Sequence, residues 1–318
     1  MGKTTSQYVR EYKWSNILAM IRNGRRDPQI CTDDFQGRLV VITGATSGIG
    51  LVTARKYASH GANLLVINRS RAKSEQLCSE IEQEFGVACS YKTADLSKLA
   101  EVVKVSRELA ELPGSIDVLI HNAGVYLSKR ELTEDNLEKV FVVNYLSSFI
   151  MNYMLIDKLK SQERARILMV GSEGHRFAAW GIKPDDLNFE RRSYSGMKSY
   201  GSAKMAQLLS MIPFRKLLLN SGVTINTMHP GAVLSNTGSD NGPVYQWFKR
   251  NFINKTLKSP EISAAALYYL GVSKEVEGVN GRFFNLTTEE EPAPPALDEE
   301  LADELWEVSL KILNSTLK

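Results

Sequence analysis

The chain is predicted to form an α/β fold of the Rossmann type: a doubly wound, seven-stranded parallel sheet flanked by helices, in a single domain with N- and C-terminal helical extensions. Three observations predict it. Apolar runs of strand length alternate with helical patterns, the sequence form of right-handed βαβ units. Strand centres such as Leu64-Leu65-Val66-Ile67 and Ile167-Leu168-Met169-Val170 are continuously apolar, as in strands covered on both faces. The first strand, Leu39-Val40-Val41-Ile42, leads straight into a glycine-rich turn, Thr43-Gly44-Ala45-Thr46-Ser47-Gly48-Ile49-Gly50. With 318 residues, 43% apolar and 24% charged, the chain can bury a full core.

Residues 1–35 form an N-terminal amphipathic extension. Trp14, Ile17, Leu18 and Ile21 recur at i, i+3, i+4 and i+7 among Arg10, Lys13, Arg22, Arg25 and Arg26, which predicts a short basic helix. Packing of its apolar side on the domain is the expectation; peripheral membrane contact and a homodimer are the alternatives. The main domain covers 36–286. Its strands are expected near 39–43, 63–68, 88–94, 116–121, 166–171, 223–228 and 281–285. Helices fit 49–60, 71–85, 98–111 (stopped by Pro113-Gly114), 134–159 and 198–220. Between Gly231 and Pro260 the pattern breaks down into a polar, glycine-containing stretch and then Tyr245-Gln246-Trp247-Phe248-Lys249-Arg250, so a mobile lid is placed at about 232–259. Residues 287–318 are an acidic linker, Glu289 to Pro295, and a final helix. The helix carries Leu301, Leu305, Val308 and Ile312 on one stripe, which should dock on the core or on another subunit.

Composition excludes several classes of function. A net charge of +3 is too small to indicate nucleic-acid binding. The ends differ in sign: residues 1–30 carry six Lys or Arg against two acids, and residues 287–318 carry nine acids against two Lys. The acidic tail reads as a solvated helix face. Cys31, Cys78 and Cys89 are odd in number and lack C-x-x-C spacing, which argues against a disulfide framework and a zinc site. A reducing, cytoplasmic setting follows, at a membrane surface if the N-terminal helix binds one. His60, His121, His175 and His229 show no ligand spacing, and no metal is expected. No window reaches the ~18 uninterrupted apolar residues of a membrane-spanning helix.

Two motifs carry the chemistry. In the glycine-rich turn, Gly44, Gly48 and Gly50 sit at a strand-to-helix junction, where backbone N–H groups and the helix N-terminus face an anion such as a pyrophosphate. About 150 residues on stands Tyr200-Gly201-Ser202-Ala203-Lys204. A Tyr and a Lys four apart share one helical face, where the ammonium can lower the phenol pKa. Together the motifs resemble the short-chain dehydrogenase/reductase family over roughly residues 36 to 285, and the resemblance implies a nicotinamide dinucleotide and exchange between a carbonyl and an alcohol. The domain 36–286 is then the cofactor-binding catalytic unit, with Thr46, Ser47 and Ile49 at the turn beside the glycines.

The end of the second strand selects the dinucleotide. An acid there would accept from the ribose 2′-OH; Asn68-Arg69-Ser70-Arg71 offers instead a guanidinium suited to a 2′-phosphate. NADP(H) is therefore expected over NAD(H), with Arg69 the stronger candidate and Arg71 the weaker. By the resemblance, Asp95-Leu96 meets the adenine. His121-Asn122-Ala123-Gly124 is similar to the family's Asn-Asn-Ala-Gly, with His departing in the first position; Asn122 either supports the sheet or touches the adenosine. Pro230-Gly231 is similar to the nicotinamide-side turn, with Ser235 where a Thr commonly binds.

Hydride reduction of a carbonyl needs a proton at oxygen. Tyr200 is the expected donor, Lys204 its partner and a ligand of the nicotinamide ribose, and Ser172 a hydrogen-bond donor to the developing alkoxide. Asn144, by the resemblance, holds a water connecting the Lys to solvent. A second string, Tyr194-Ser195-Gly196-Met197-Lys198, competes, but Gly196 and Gly201 make it look like an irregular approach to the helix. Ser172 and Tyr200 are 28 residues apart, an insertion relative to simple family members. His175, Asp186-Leu187-Asn188 and Lys129-Arg130-Glu131-Leu132-Thr133-Glu134-Asp135 resemble the retinol-dehydrogenase-like and WW-domain-oxidoreductase-like branch, which implies a small lipophilic substrate of retinoid, steroid or xenobiotic kind. Phe177, Trp180, Tyr245, Trp247 and Phe248 would form an apolar mouth. A non-catalytic NADP(H)-binding scaffold or sensor is the alternative reading.

Overall fold

The computed structural model describes residues 3–24, 26–233 and 258–318. Its strands are β1 (Leu39–Thr43), β2 (Asn63–Asn68), β3 (Cys89–Thr93), β4 (Val118–His121), β5 (Ala165–Val170), β6 (Val223–His229), β7 (Phe283–Asn285) and β8 (Thr288–Glu290). They form one sheet in the order β3-β2-β1-β4-β5-β6-β7-β8. Neighbours are parallel up to β7, and β8 is antiparallel to β7. The order reverses between β1 and β4, the position where open α/β sheets bind nucleotides.

The helices among the described residues are α1 (Thr5–Glu11), α2 (Trp14–Asn23), α3 (Gly48–Ala58), α4 (Arg71–Phe85), α5 (Leu99–Ala110), α6 (Lys139–Lys160), α7 (Gly196–Leu217), α8 (Glu261–Val272) and α9 (Glu299–Thr316). Successive strand residues point to opposite faces. Val40 and Ile42 thus join α3, α4 and α8 in one core, and Val41, Leu65 and Leu119 join α5, α6, α7 and α9 in the other. By length and composition α6 could cross a membrane, yet its most apolar window is 78% buried within the fold, which makes it a core helix.

Local chemistry explains the boundaries. Ser70 caps α4 by accepting from the Lys73 N–H, and Gly86, in the left-handed region at φ 67°, ends it. The expected helix from 134 begins only at Lys139, because Glu138 caps it through the Phe141 N–H (2.7 Å) after a short Leu132–Glu138 bridge. The helix expected from 198 begins at Gly196, capped by Ser195. A Cβ at Gly196 would lie 2.5 Å from the Leu127 carbonyl oxygen, so this close approach requires glycine.

Three expectations are corrected. The sheet has an eighth, antiparallel strand. It occupies part of the proposed linker: Leu286, at φ 54°, reverses the chain, and Glu290 is drawn inside by a buried arginine. Ala293, Pro295 and Ala296 are buried too, so the tail is a packed strap leading to α9, which docks on the core through Leu301, Leu305 and Leu313. Of the apolar stripe of the N-terminal helix, Trp14, Leu18 and Ile21 stay exposed and Ile17 alone is half-buried, although the helix itself is tied to β8. Arg25, Ser235 and most of the lid placed at 232–259, with Tyr245, Trp247 and Phe248, lie outside the described residues.

Candidate active site

A cleft of about 770 Å³ opens along the C-terminal ends of the parallel strands. One wall is the turn between β1 and α3. Gly44 adopts φ +71°, and a Cβ there would sit 3.0 Å from the Ala123 Cα. A Cβ at Gly50 would lie 2.2 Å from the Gly44 carbonyl oxygen. The turn is therefore closed over bare backbone. Ser47 begins α3 without a side-chain capping bond, leaving the first helical N–H groups directed at the cleft. Asn122 braces the turn from β4, donating to the Thr43 and Gly44 carbonyls (3.1 and 2.9 Å), and Thr43 Oγ1 accepts from the Asn122 and Ala123 N–H groups. Asn122 thus supports the turn and also lines the cleft.

Asn68 adds a brace that the sequence reading missed. Its Oδ1 accepts from the Ala45 N–H (2.7 Å) and its Nδ2 donates to Ser74 (3.1 Å). Arg69 is exposed on the cleft wall beside Ser70 and Lys73, whereas Arg71 is engaged by Glu75 at 2.7 Å and is not part of the lining. Thr46, Ser47, Gly48, Ile49, Asp95, Leu96, Ala123, Gly124, Pro230 and Gly231 also line the cleft. Gly50 lies behind it. His121 turns away and meets Asn152 (2.7 Å); burial pushes its pKa down to about 4, so it is a neutral packing residue.

The opposite wall holds Ser172, Tyr200 and Lys204, all in the lining. Ser172 stands two residues after β5 and caps a short 3₁₀ turn, its Oγ accepting from the Gly174 N–H (3.0 Å). A Cβ at Gly174 would lie 3.2 Å from Ser172 Oγ and 3.4 Å from the Tyr200 ring, so the two hydroxyl-bearing side chains meet over this glycine. Burial raises the Tyr200 phenol, and the Ser172 hydrogen bond opposes that rise. This differs from the expectation of a lowered phenol: in the protein alone, desolvation dominates. Lys204 donates to the Val170 carbonyl (2.7 Å), and burial lowers it to about 7. Asn144 lies behind the lining in a π-helical turn, Val142–Leu146; its Oδ1 accepts from the Val125 N–H (2.7 Å) and its Nδ2 donates to the Val125 carbonyl (2.9 Å). Tyr194 is removed from the cleft, its hydroxyl reaching Leu127 O and Glu138.

The segment after Ser172 is fastened by charge, an arrangement with no signal in the sequence. Arg176 is buried between Glu173 and Glu290 and donates to the Glu291 carbonyl. His175 Nδ1 bonds the Ser172 carbonyl (2.7 Å), while its Nε2 accepts from the Ala293 N–H (3.2 Å). The insertion also meets the 129–135 motif and the start of α6: Arg130 donates to the Asn188 carbonyl and Asn188 Oδ1 accepts from the Glu138 N–H. Phe177, 58% exposed, and Met197 stand at the cleft edge with Tyr126, whereas Trp180 is tied to Ser202 and packs on the core.

Fold, bare-backbone turn and hydroxyl pair define a dinucleotide-dependent oxidoreductase of the Rossmann class, and the glycine cradle fits a nicotinamide dinucleotide. The chain belongs to the short-chain dehydrogenase/reductase family. The short chain dehydrogenase model matches residues 38–182. Retinol dehydrogenase 13 of Homo sapiens is 33% identical over 282 residues, covering 87% of this chain and 85% of that protein. The WW domain-containing oxidoreductase of Homo sapiens is 32% identical, over 89% of this chain and 70% of its own length. Among solved structures, an uncharacterized protein of Mycobacterium paratuberculosis superimposes with a TM-score of 0.70 at 25% identity, covering 89% of this chain and 95% of that one. The protein is accordingly an oxidoreductase of the retinol-dehydrogenase-like branch, using a nicotinamide cofactor on CH–OH or C=O groups.

Proposed function

We propose that the protein interconverts a lipophilic ketone or aldehyde and its alcohol with NADP(H), Tyr200 exchanging the proton at the substrate oxygen. The observation that carries this reading is the meeting of the Ser172 and Tyr200 side chains over Gly174, with Lys204 buried behind them. When bound, the nicotinamide supplies or accepts the hydride. Ser172, whose Oγ already accepts from Gly174, keeps its own proton to donate to the carbonyl oxygen. Tyr200, neutral at physiological pH, is in the protonation state required to deliver a proton in reduction. Lys204, lowered to about 7, gains and loses a proton near neutrality and can restore that of the phenol. Asn144 positions Val125 in the cleft floor.

Arg69, with Lys73 beside it, supports NADP(H) over NAD(H), since neither side chain pairs with an acid among the described residues. Phe177, Met197 and Tyr126 at the edge favour an apolar substrate. The test is oxidation of NADPH and, separately, NADH against aliphatic, aromatic, retinoid and steroid carbonyls, with Tyr200→Phe alongside. The variant should lose about 10³-fold in turnover while binding NADPH normally. Near-wild-type turnover in Tyr200→Phe would eliminate this proton donor, and tight NADPH binding without any turnover would favour the scaffold reading.

A further inference from the structure

The fold brings together two cysteines that the sequence keeps apart. Cys78 lies in the middle of α4 and Cys89 opens β3; they are 11 positions apart in the chain, and their sulfurs stand 2.9 Å from one another. Polar contacts fix α4 against β3 on either side of the pair: Tyr91 donates to Glu75 (2.7 Å), and the Cys89 N–H donates to Glu82 (3.3 Å). A disulfide spans about 2.05 Å between sulfurs, so from 2.9 Å a closing movement of about 0.9 Å joins them.

Among the described residues β3 is an outer strand of the sheet, paired with β2 alone, and Ala88 and Ser90 on either side of Cys89 are exposed. Such edges open locally at less cost than a central strand. Burial raises both thiols, so with β3 seated each keeps its proton, and the reactive thiolate forms on opening. The two elements also frame the Arg69 end of the cleft. Helix α4 follows Arg69 and Ser70 and carries Lys73, and β3 runs on into Ala94, Asp95 and Leu96, all of which line the cleft.

We propose that Cys78 and Cys89 are an oxidisable pair, which a hydroperoxide closes into a disulfide that staples α4 to the edge strand and holds the Arg69 end of the cleft. One thiolate attacks a peroxide oxygen, displaces hydroxide and becomes a sulfenic acid. The second sulfur attacks the first and releases water, so two thiols and one hydrogen peroxide give one disulfide and two waters. A thiol reductant reverses the bond. Disulfides that come and go in this way occur in reducing compartments, where permanent frameworks are rare. Neither the substrate nor the choice of dinucleotide enters this chemistry.

The intact protein should be treated with hydrogen peroxide, then denatured and alkylated. Wild type should present one free thiol, Cys31, in place of three, with mass spectrometry showing a peptide linked between Cys78 and Cys89. Dithiothreitol should restore all three. The linked form should melt several degrees above the reduced one, because the cross-link restricts the unfolded chain. Cys31→Ala should behave in the same way. Cys78→Ala, which cannot close the bond, should show no rise and so reads the effect of oxidation elsewhere on the chain. Three alkylated thiols after the treatment overturn the inference, as does loss of thiols without a linked peptide. So does a bond to Cys31, or a linked form that melts no higher than the reduced protein, which would mean that closing the pair strains the native packing.

Discussion

The two walls of the cleft are built on opposite principles. The dinucleotide wall is braced by backbone and neutral amides, namely the turn from Gly44 to Gly50, the Asn122 and Asn68 braces and the bare N-terminus of α3, with Arg69 and Lys73 standing beyond the braces. The catalytic wall, from Ser172 to Phe177, is held by a buried ion cluster and by segments from both ends of the chain. Glu290 and the Glu291 carbonyl come from the C-terminal strap, and Tyr12 comes from the N-terminal extension. Neutral braces depend on close backbone approach and do not titrate. A charged wall depends on segments far from the site, and it can titrate.

The sharpest way to break this comparison is Arg176→Met. Removing one partner of a buried ionic cluster leaves the others uncompensated, at a cost of about 3–5 kcal/mol. Glu173 and Glu290 would be left facing one another behind Ser172. Denaturant unfolding should show a loss of that size. In protein that remains folded, turnover should fall while NADPH affinity, set by the other wall, holds. Unfolding indistinguishable from wild type would mean that the cluster does not fasten this wall.

A smaller effect is expected from the dinucleotide wall. Arg69→Ala removes a guanidinium from the ribose end, where a charge-assisted bond to phosphate contributes about 1.5–3 kcal/mol. NADPH should bind at least about tenfold more weakly and NADH unchanged, as read by fluorescence titration. Equal weakening of both would assign Arg69 to general electrostatics and remove the basis for an NADP(H) preference.

The two walls also differ in how far the sequence reveals them. The strand, glycine turn and helix of the first are consecutive, so period and punctuation show them together. Asn68 escaped because its brace crosses to Ala45, 23 residues away, without any periodic signal. The Arg176–Glu290 contact spans 114 residues, and the acidic, proline-rich segment around Glu290 looks like a linker until its partner is in view. In α2 the periodicity identifies which residues share a face. It does not say which way that face points, and the structure turns it outward because Glu290 and Glu291 hold the polar side.

The finest contrast between the walls lies in pH. Burial pushes the Glu173 carboxyl from 4.5 up to about 7, Glu290 adds to the rise, and the Arg176 charge opposes it. Between those values the folded state keeps a proton that the unfolded chain releases, so this group makes stability fall as pH rises from 4.5 to 7, with no further change above. The buried histidines His121 and His175 and the half-buried His229, lowered to about 4, 3 and 4, act in the opposite sense: the unfolded chain takes up protons below 6.5 first, and stability falls on acidification. The total profile mixes these effects, but the difference between wild type and Glu173→Gln isolates the carboxyl, because the glutamine cannot titrate. The melting temperature of Glu173→Gln relative to wild type should climb by a few degrees as pH rises through that window, then stay level above it. A flat or falling difference would show that Arg176 holds Glu173 ionised throughout, and the charged wall would then be as indifferent to pH as the neutral braces.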